Sequence, residues 1–410
     1  MVAKRSIDDL ALFGGAPLFQ TVRPVGQIYM PARDTFDTWF DAIIERRYYT
    51  NHGPLVSRLD RAIAERLDVK HAVSVTNGTV ALMVALVALE LSGDVIVPAF
   101  TFPATVQALH WAGLTPVFAD VDSRTHMLTA ESVAKVKTDR TSAVLGVHVW
   151  GRACAPAELE AYCRQNDLRL LYDACHAFGC SFDGKMIGNF GDAEVFSFHA
   201  TKIVNAAEGG CITTNDDDLA ARLITARNFH RSPKDQSVYV RLNGKMSEAQ
   251  AAMALMALSQ FEEFVDRNEA IYSTYERGLE GTSGIKAIRY DRRNRNNFQY
   301  AVFEIEPESS LSRDQILDVL RAENIYARRY FFPSVHRLSP YCDALDGEKR
   351  ELPVTTSLCQ TVLQLPLGAQ INPEDAELIA ALLDLILENG DEIKARAEAT
   401  AGANSLRSGW

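Results

Sequence analysis

The sequence predicts an α/β protein: a mostly parallel sheet wrapped by helices, followed by a smaller C-terminal α+β unit. Seven short Val- and Ile-rich runs lie between about residues 70 and 215, and most are continuously apolar, as strands buried on both faces are. Helical patterns alternate with them, which is the arrangement that builds a parallel sheet. A length of 410 residues also exceeds what one hydrophobic core usually organises, so two domains are expected.

In order, "HAVSVT", "DVIVPAF", "TPVFADV", "SAVLGVHV", "LRLLYDA", "EVFSFHA" and "GCITT" read as strands. The stretches "TVALMVALVALEL", "ATVQALHWAG" and "PAELEAYCRQND" read as helices between them. A long helical stretch, "MSEAQAAMALMALSQFEEFVDRNEAIYSTYERGLE", carries the chain out of this unit. The strand "NFQYAVFEIE" and the helices "SRDQILDVLRAEN" and "NPEDAELIAALLDLILENG" then form the smaller unit. The division falls at 255/256: residues 1–255 make a large domain with an N-terminal arm, 256–400 a small C-terminal domain, and 401–410 a tail without periodicity.

The formal net charge of −11 argues against nucleic acid or an anionic membrane as the main partner. Seven cysteines, odd in number and without a CxxC pair, read as reduced thiols of a cytosolic protein. The first residues hold only the four apolar "LALF", too few for a signal-peptide core, and no uncharged apolar run approaches the roughly 18 residues of a membrane span. A soluble cytoplasmic protein is expected.

Candidate chemistry gathers at the strand ends, where ligands of such sheets sit. In "SFHATKIVNAAEGG", Lys202 follows a strand ending at Ser197; a desolvated lysine there can form a Schiff base with a carbonyl. In "LLYDACHAFG", Asp173 ends a buried strand and needs a cationic or hydrogen-bonding partner, such as the pyridinium nitrogen of pyridoxal phosphate. His176, three residues on, could reach that ring's phenolic oxygen, but by itself it reads first as a satisfied core histidine. "TNGTVAL" puts Gly78 and Thr79 at a helix N-terminus suited to an anion, and "PAFTFPAT" offers Phe100 or Phe102 to stack on a flat ring. Each residue also has an ordinary structural reading: a solvated lysine, a capping aspartate, a core histidine, an N-cap turn, core phenylalanines. The order Gly-Thr, aromatic, Asp, Ser, Lys at successive strand ends is what makes the set specific.

In these motifs the chain resembles the DegT/DnrJ/StrS family of nucleotide-sugar aminotransferases, which have the fold type I aminotransferase architecture. "SFHATK" followed by "EGG", "DACHAFG" and "NGKMSEAQAA" carry the resemblance, which runs from "YYTNHGPLVSRLDRAIAERLDV" to "LPVTTSLCQTVLQLPLG". It implies that Lys202 is the Schiff-base lysine and proton shuttle, and that Asp173 pairs with the pyridine nitrogen. By the same resemblance His176 sits beside the phenolic oxygen, Ser197, Gly78 and Thr79 hold the phosphate, and Phe102 stacks on the ring. Asn243 matches an asparagine that reaches the phosphate from a neighbouring subunit, which implies a homodimer with shared sites. The stretches "LALFGGAP", "GVHVWGRAC" and "ENIYARRYFFPSVH" are similar to enzymes that aminate dTDP-4-keto-6-deoxyglucose at C4 with L-glutamate as donor. On that footing Arg328, Arg329, Tyr330 and His336 are candidates for the nucleotide-sugar pocket, with a surface role as the equal alternative.

Three rival readings stand beside this one: a 3-keto sugar aminotransferase, a fold type I enzyme acting on amino acids, and a regulatory pyridoxal phosphate protein. Sugar 3-dehydratases of similar sequence carry histidine where this chain has Lys202. No helix-turn-helix pattern or basic face supports DNA binding.

Overall fold

The computed structural model describes residues 3–26, 29–229, 238, 241–342 and 351–407. Seven strands form the central sheet: β1 His71–Val75, β2 Asp94–Pro98, β3 Thr115–Ala119, β4 Thr141–Val147, β5 Arg169–Asp173, β6 Ala193–Ser197 and β7 Gly210–Thr214. Their spatial order is β1-β7-β6-β5-β4-β2-β3, and β7 alone runs against the other six. All seven apolar runs read from the sequence are these strands. β2 and β7 are buried at every residue because helices cover both faces.

On one face, helix Gly78–Ala88 packs its Leu82, Val84 and Leu86 with Val106 and Leu109 of helix Pro103–Trp111. The opposite face is covered by helix Pro54–Leu67 and helix Glu248–Ser259. Buried Glu248 accepts hydrogen bonds from the backbone N–H groups of Leu55 (2.9 Å) and Val56 (3.0 Å), which caps the first of these helices with the side chain of the second.

A C-terminal antiparallel sheet, β8 Ile285–Ala287, β9 Ala301–Ile305 and β10 Val362–Leu365, carries its own core with helices Phe261–Gly278, Arg313–Ala322 and Pro373–Glu388. The long helical stretch is two helices that break at Gln260, whose φ and ψ are −112° and 13°. The break lets Phe261 fold down onto Phe178 (centroids 5.7 Å apart), so both helices bury their apolar faces. The expected division at 255/256 thus falls inside a helix that packs wholly in the first core.

The N-terminal segment also differs from the expectation of an arm belonging to the large unit. Ile7, Leu10, Leu18 and Phe19 bury in the C-terminal core. Fully buried Glu323 accepts from the N–H groups of Ala11 (2.7 Å) and Leu18 (2.6 Å), and Arg23–Pro24 pairs in parallel with Ile325–Tyr326. Such pairing across about 300 residues of sequence leaves no local periodic signal. The tail differs too: the last helix, Gly390–Arg407, runs through most of it, and residues 408–410 lie outside the described residues.

Among the described residues no helix is long and apolar enough to cross a membrane, and no group of His, Cys, Asp and Glu is placed to hold a metal ion.

Candidate active site

The C-terminal ends of β1, β2, β4, β5 and β6 converge on a cavity of about 410 Å³, within the usual size of small-ligand sites. Gly78, Thr79, Phe102, Asp173, His176, Ser197, Lys202, Arg328 and Tyr330 all line it. Three other candidates lie elsewhere. Asn243 is exposed and accepts from Lys245 Nζ at 2.6 Å. Arg329 points to the surface and pairs with Asp314 at 3.3 Å. His336 packs by Phe118, 6.1 Å between ring centroids.

The turn after β1 is built for close approach. Asn77 caps helix Gly78–Ala88, its Oδ1 accepting from Val80 N–H at 2.8 Å, which leaves the N–H groups of the first turn directed at the cavity. A Cβ at position 78 would stand 2.9 Å from Ser197 Cβ, so only glycine admits this turn beside β6. Gly210 is tighter still: a Cβ there would lie 2.6 Å from the carbonyl carbon of Asn77 and 2.9 Å from Gly78 N. Because backbone cannot rotate away as a side chain can, Gly210→Ala is expected to destabilise the fold by about 1–3 kcal/mol, read as a lowered midpoint in denaturant unfolding.

Asp173 sits at the C-terminal end of β5, 6% exposed. One carboxylate oxygen accepts from Thr105 Oγ1 at 2.8 Å, and Thr105 in turn shares a hydrogen bond with Thr101; the other accepts from Cys175 N–H at 3.1 Å. No ion pair to it forms among the described residues, so a nearly buried carboxylate with spare lone pairs faces the cavity. A protonated ring nitrogen is the kind of partner it lacks.

His176 lies beside it, buried, with Nδ1 accepting from the backbone N–H of Trp150 at 3.3 Å. Burial, and then the charge of Lys202, hold its pKa well below the ordinary value. The neutral ring therefore carries its proton on Nε2, which makes it a donor to an oxygen in the cavity. Trp150 holds this arrangement from a left-handed backbone, φ +61°, a conformation that costs a non-glycine residue about 1–3 kcal/mol. Its indole N–H donates to His126 Nδ1 (3.3 Å) and its ring stacks on Phe331 (5.5 Å), and His126 Nε2 stands 2.6 Å from Glu304.

Lys202 hangs in the loop after β6, its amide bonded to the His199 carbonyl at 2.8 Å. Its Nζ donates to the Tyr300 hydroxyl at 2.8 Å. Burial lowers its pKa, and the guanidinium of Arg328 adds to the effect against Cys175, Tyr330 and Asp173. The amine is thus biased toward its neutral, nucleophilic form. Phe102, half exposed, and Tyr330 face each other at 6.5 Å across the mouth. Arg328 reaches the same space, its guanidinium donating to the Tyr330 hydroxyl at 3.2 Å.

Sequence reasoning missed Tyr300, Thr105, Trp150 and Phe331. Tyr300 lies 98 residues beyond Lys202 in a run that reads only as a strand, and the others look like core. Phe100, weighed beside Phe102, is fully buried against Trp150 and Phe331 and does not reach the cavity.

Anion cradle, unpaired carboxylate, neutral imidazole donor and low-pKa amine around one space make a donor set that fits a flat, phosphorylated pyridine aldehyde. Known proteins agree with that chemistry. The chain is 42% identical to DesI, whose crystal structure was determined in the presence of its TDP-sugar product, with a TM-score of 0.91 over 96% of this chain and 100% of that one. It is 30% identical to the dTDP-4-amino-4,6-dideoxy-D-glucose transaminase of Shigella dysenteriae over 90% of this chain and 98% of the relative. To the GDP-perosamine synthase of Caulobacter vibrioides it is 32% identical, over 84% of this chain and 93% of that one. The pattern of the DegT/DnrJ/EryC1/StrS aminotransferase family matches residues 33–384, and the chain belongs to that family.

Proposed function

We propose that this protein transfers an amino group from L-glutamate to C4 of a nucleotide-linked keto-deoxysugar, dTDP-4-keto-6-deoxyglucose, with pyridoxal phosphate as cofactor. The observation that carries the reading is a low-pKa lysine facing an unpaired carboxylate in a cavity floored by a glycine-dependent turn. The likeness to DesI, 42% identical over 96% of this chain and solved in the presence of its TDP-sugar product, supports a dTDP sugar.

Gly78, Thr79 and Ser197 would hold the phosphate, Asp173 the ring nitrogen, His176 Nε2–H the phenolic oxygen, and Phe102 the face of the ring. The cofactor supplies an electron sink that stabilises negative charge beside the amine being transferred. Asp173 keeps the ring nitrogen protonated, which the sink requires. Lys202 would be the residue that holds the cofactor's aldehyde end when no substrate is present. Once freed, its Nζ takes the proton from the donor's α-carbon, and in the second half-reaction it returns a proton to the sugar carbon. Arg328, the guanidinium facing the cavity, would receive an anionic group of either substrate. We further propose a homodimer in which Asn243, exposed and outside this chain's cavity, reaches the partner's phosphate site.

The test is the visible spectrum of cofactor-loaded protein. L-glutamate is expected to bleach the yellow absorbance, and dTDP-4-keto-6-deoxyglucose to restore it with release of a product whose NMR spectrum places the amine at C4. An amine at C3 would assign the other regiochemistry, and absorbance indifferent to every keto sugar but cycling between two amino acids would overturn the sugar reading. Sedimentation in solution checks the dimer.

A further inference from the structure

We propose that Tyr300 is a positioning residue for Lys202, its hydroxyl the fixed point at which the lysine's amino group rests whenever that amine is free. This rests on the amino-transfer reading above, in which Lys202 must alternate between bound and free states. The 2.8 Å bond from Nζ to the Tyr300 hydroxyl is the only hydrogen bond the amine makes among the described residues. A lysine stem is long and flexible, so one rigid acceptor selects one direction for the amine out of many.

The acceptor is rigid. Tyr300 is 6% exposed, its N–H donates to the Tyr290 hydroxyl (3.2 Å), and the Tyr290 hydroxyl donates back to the Tyr300 carbonyl (2.9 Å). Its ring packs on His176 at 4.4 Å and on Trp150 at 5.6 Å. It immediately precedes β9, and its neighbour Gln299 accepts from the backbone N–H of Ile203 at 2.6 Å, which ties this segment to the loop that carries Lys202.

A phenol also suits the task chemically. A carboxylate at this place would form an ion pair and hold the lysine as ammonium, with no lone pair to take a proton. A protonated phenol orients the amine without charging it. Burial pushes the Tyr300 hydroxyl well above its ordinary pKa, which keeps the phenol protonated, and shifts Lys202 downward, toward the neutral amine. When Nζ takes a proton, the same oxygen accepts a hydrogen bond from the ammonium, and the amine is held in register for the return transfer.

The test uses Tyr300→Phe, which removes the hydroxyl and keeps the ring, with Tyr272→Phe as control. Tyr272 is another buried tyrosine, whose hydroxyl bonds the Ile288 carbonyl and does not touch Lys202. Melting temperatures verify that both fold. In cofactor-free protein, acetylation of Lys202 by acetic anhydride is followed by mass spectrometry against exposed Lys286. Releasing the amine from its partner is expected to speed Lys202 labelling about three- to tenfold in Tyr300→Phe, the scale of one lost hydrogen bond, with Tyr272→Phe unchanged. In loaded protein the same variant is expected to turn over more slowly at unchanged KM, with a larger kinetic isotope effect from α-deuterated glutamate. Lys202 labelling at the wild-type rate in Tyr300→Phe, or an equal rise in both variants, overturns the proposal. Should wild-type protein transfer no amino group, the functional reading fails while the labelling arm still decides the role of Tyr300.

Discussion

Replacing Lys202 with alanine is expected to lower kcat for amino transfer by about 10⁴-fold or more, since in the proposed function one group serves as both the carbonyl-binding amine and the proton shuttle. Lys202 is the lysine of the cavity, and the other cation lining it, Arg328, has a guanidinium that does not deprotonate. Lys202→Arg is therefore expected to be as inactive as Lys202→Ala although it keeps the charge, which separates nucleophile and base from simple electrostatics. Single-turnover absorbance with L-glutamate reads both variants. Retention of the wild-type visible band by Lys202→Ala would show that another amine binds the cofactor.

Asp173→Asn is expected to cost the next largest amount. Asparagine keeps the shape, its one oxygen can accept from Cys175 N–H and its amide nitrogen can donate to the Thr105 hydroxyl, so the melting temperature of cofactor-free protein is expected to stay near wild type. What it loses is the charge opposite the ring nitrogen. Breaking a buried charge pair costs about 3–5 kcal/mol, or roughly 10²–10⁴-fold in kcat, carried by the proton-transfer step. Equal activity of Asp173→Asn and wild type would remove Asp173 from the chemistry and return it to the role of a strand-end cap.

Much of the site was legible because the fold is locally encoded. The seven strands were readable as apolar runs, and a strand end is a fixed place on a sheet, so Gly78, Phe102, Asp173, Ser197 and Lys202 could be assigned to one edge from sequence order alone. His176 was ambiguous by itself: three residues after a buried aspartate, a core histidine and a cavity-facing one have the same sequence signature. The structure distinguishes them by the Trp150 N–H, which takes Nδ1 and leaves Nε2 for the cavity. Arg328, Arg329 and Tyr330 are adjacent in sequence but differ in fate. Arg328 and Tyr330 line the cavity and Arg329 pairs outside with Asp314, an alternation that an extended segment imposes and a motif cannot express.

Sequence by itself determined the α/β class, the strand count of the central sheet and the residue types at its cavity-lining edge, because periodicity and strand-end chemistry act over a few residues. Only the tertiary structure decided which distant groups complete the site. Tyr300 reaches Lys202 from the segment just before β9, Thr105 steadies Asp173 from the helix after another strand, and the N-terminal segment belongs to the C-terminal core through buried Glu323. These contacts join residues some 70 to 300 positions apart, a separation at which no short stretch of sequence carries a signal.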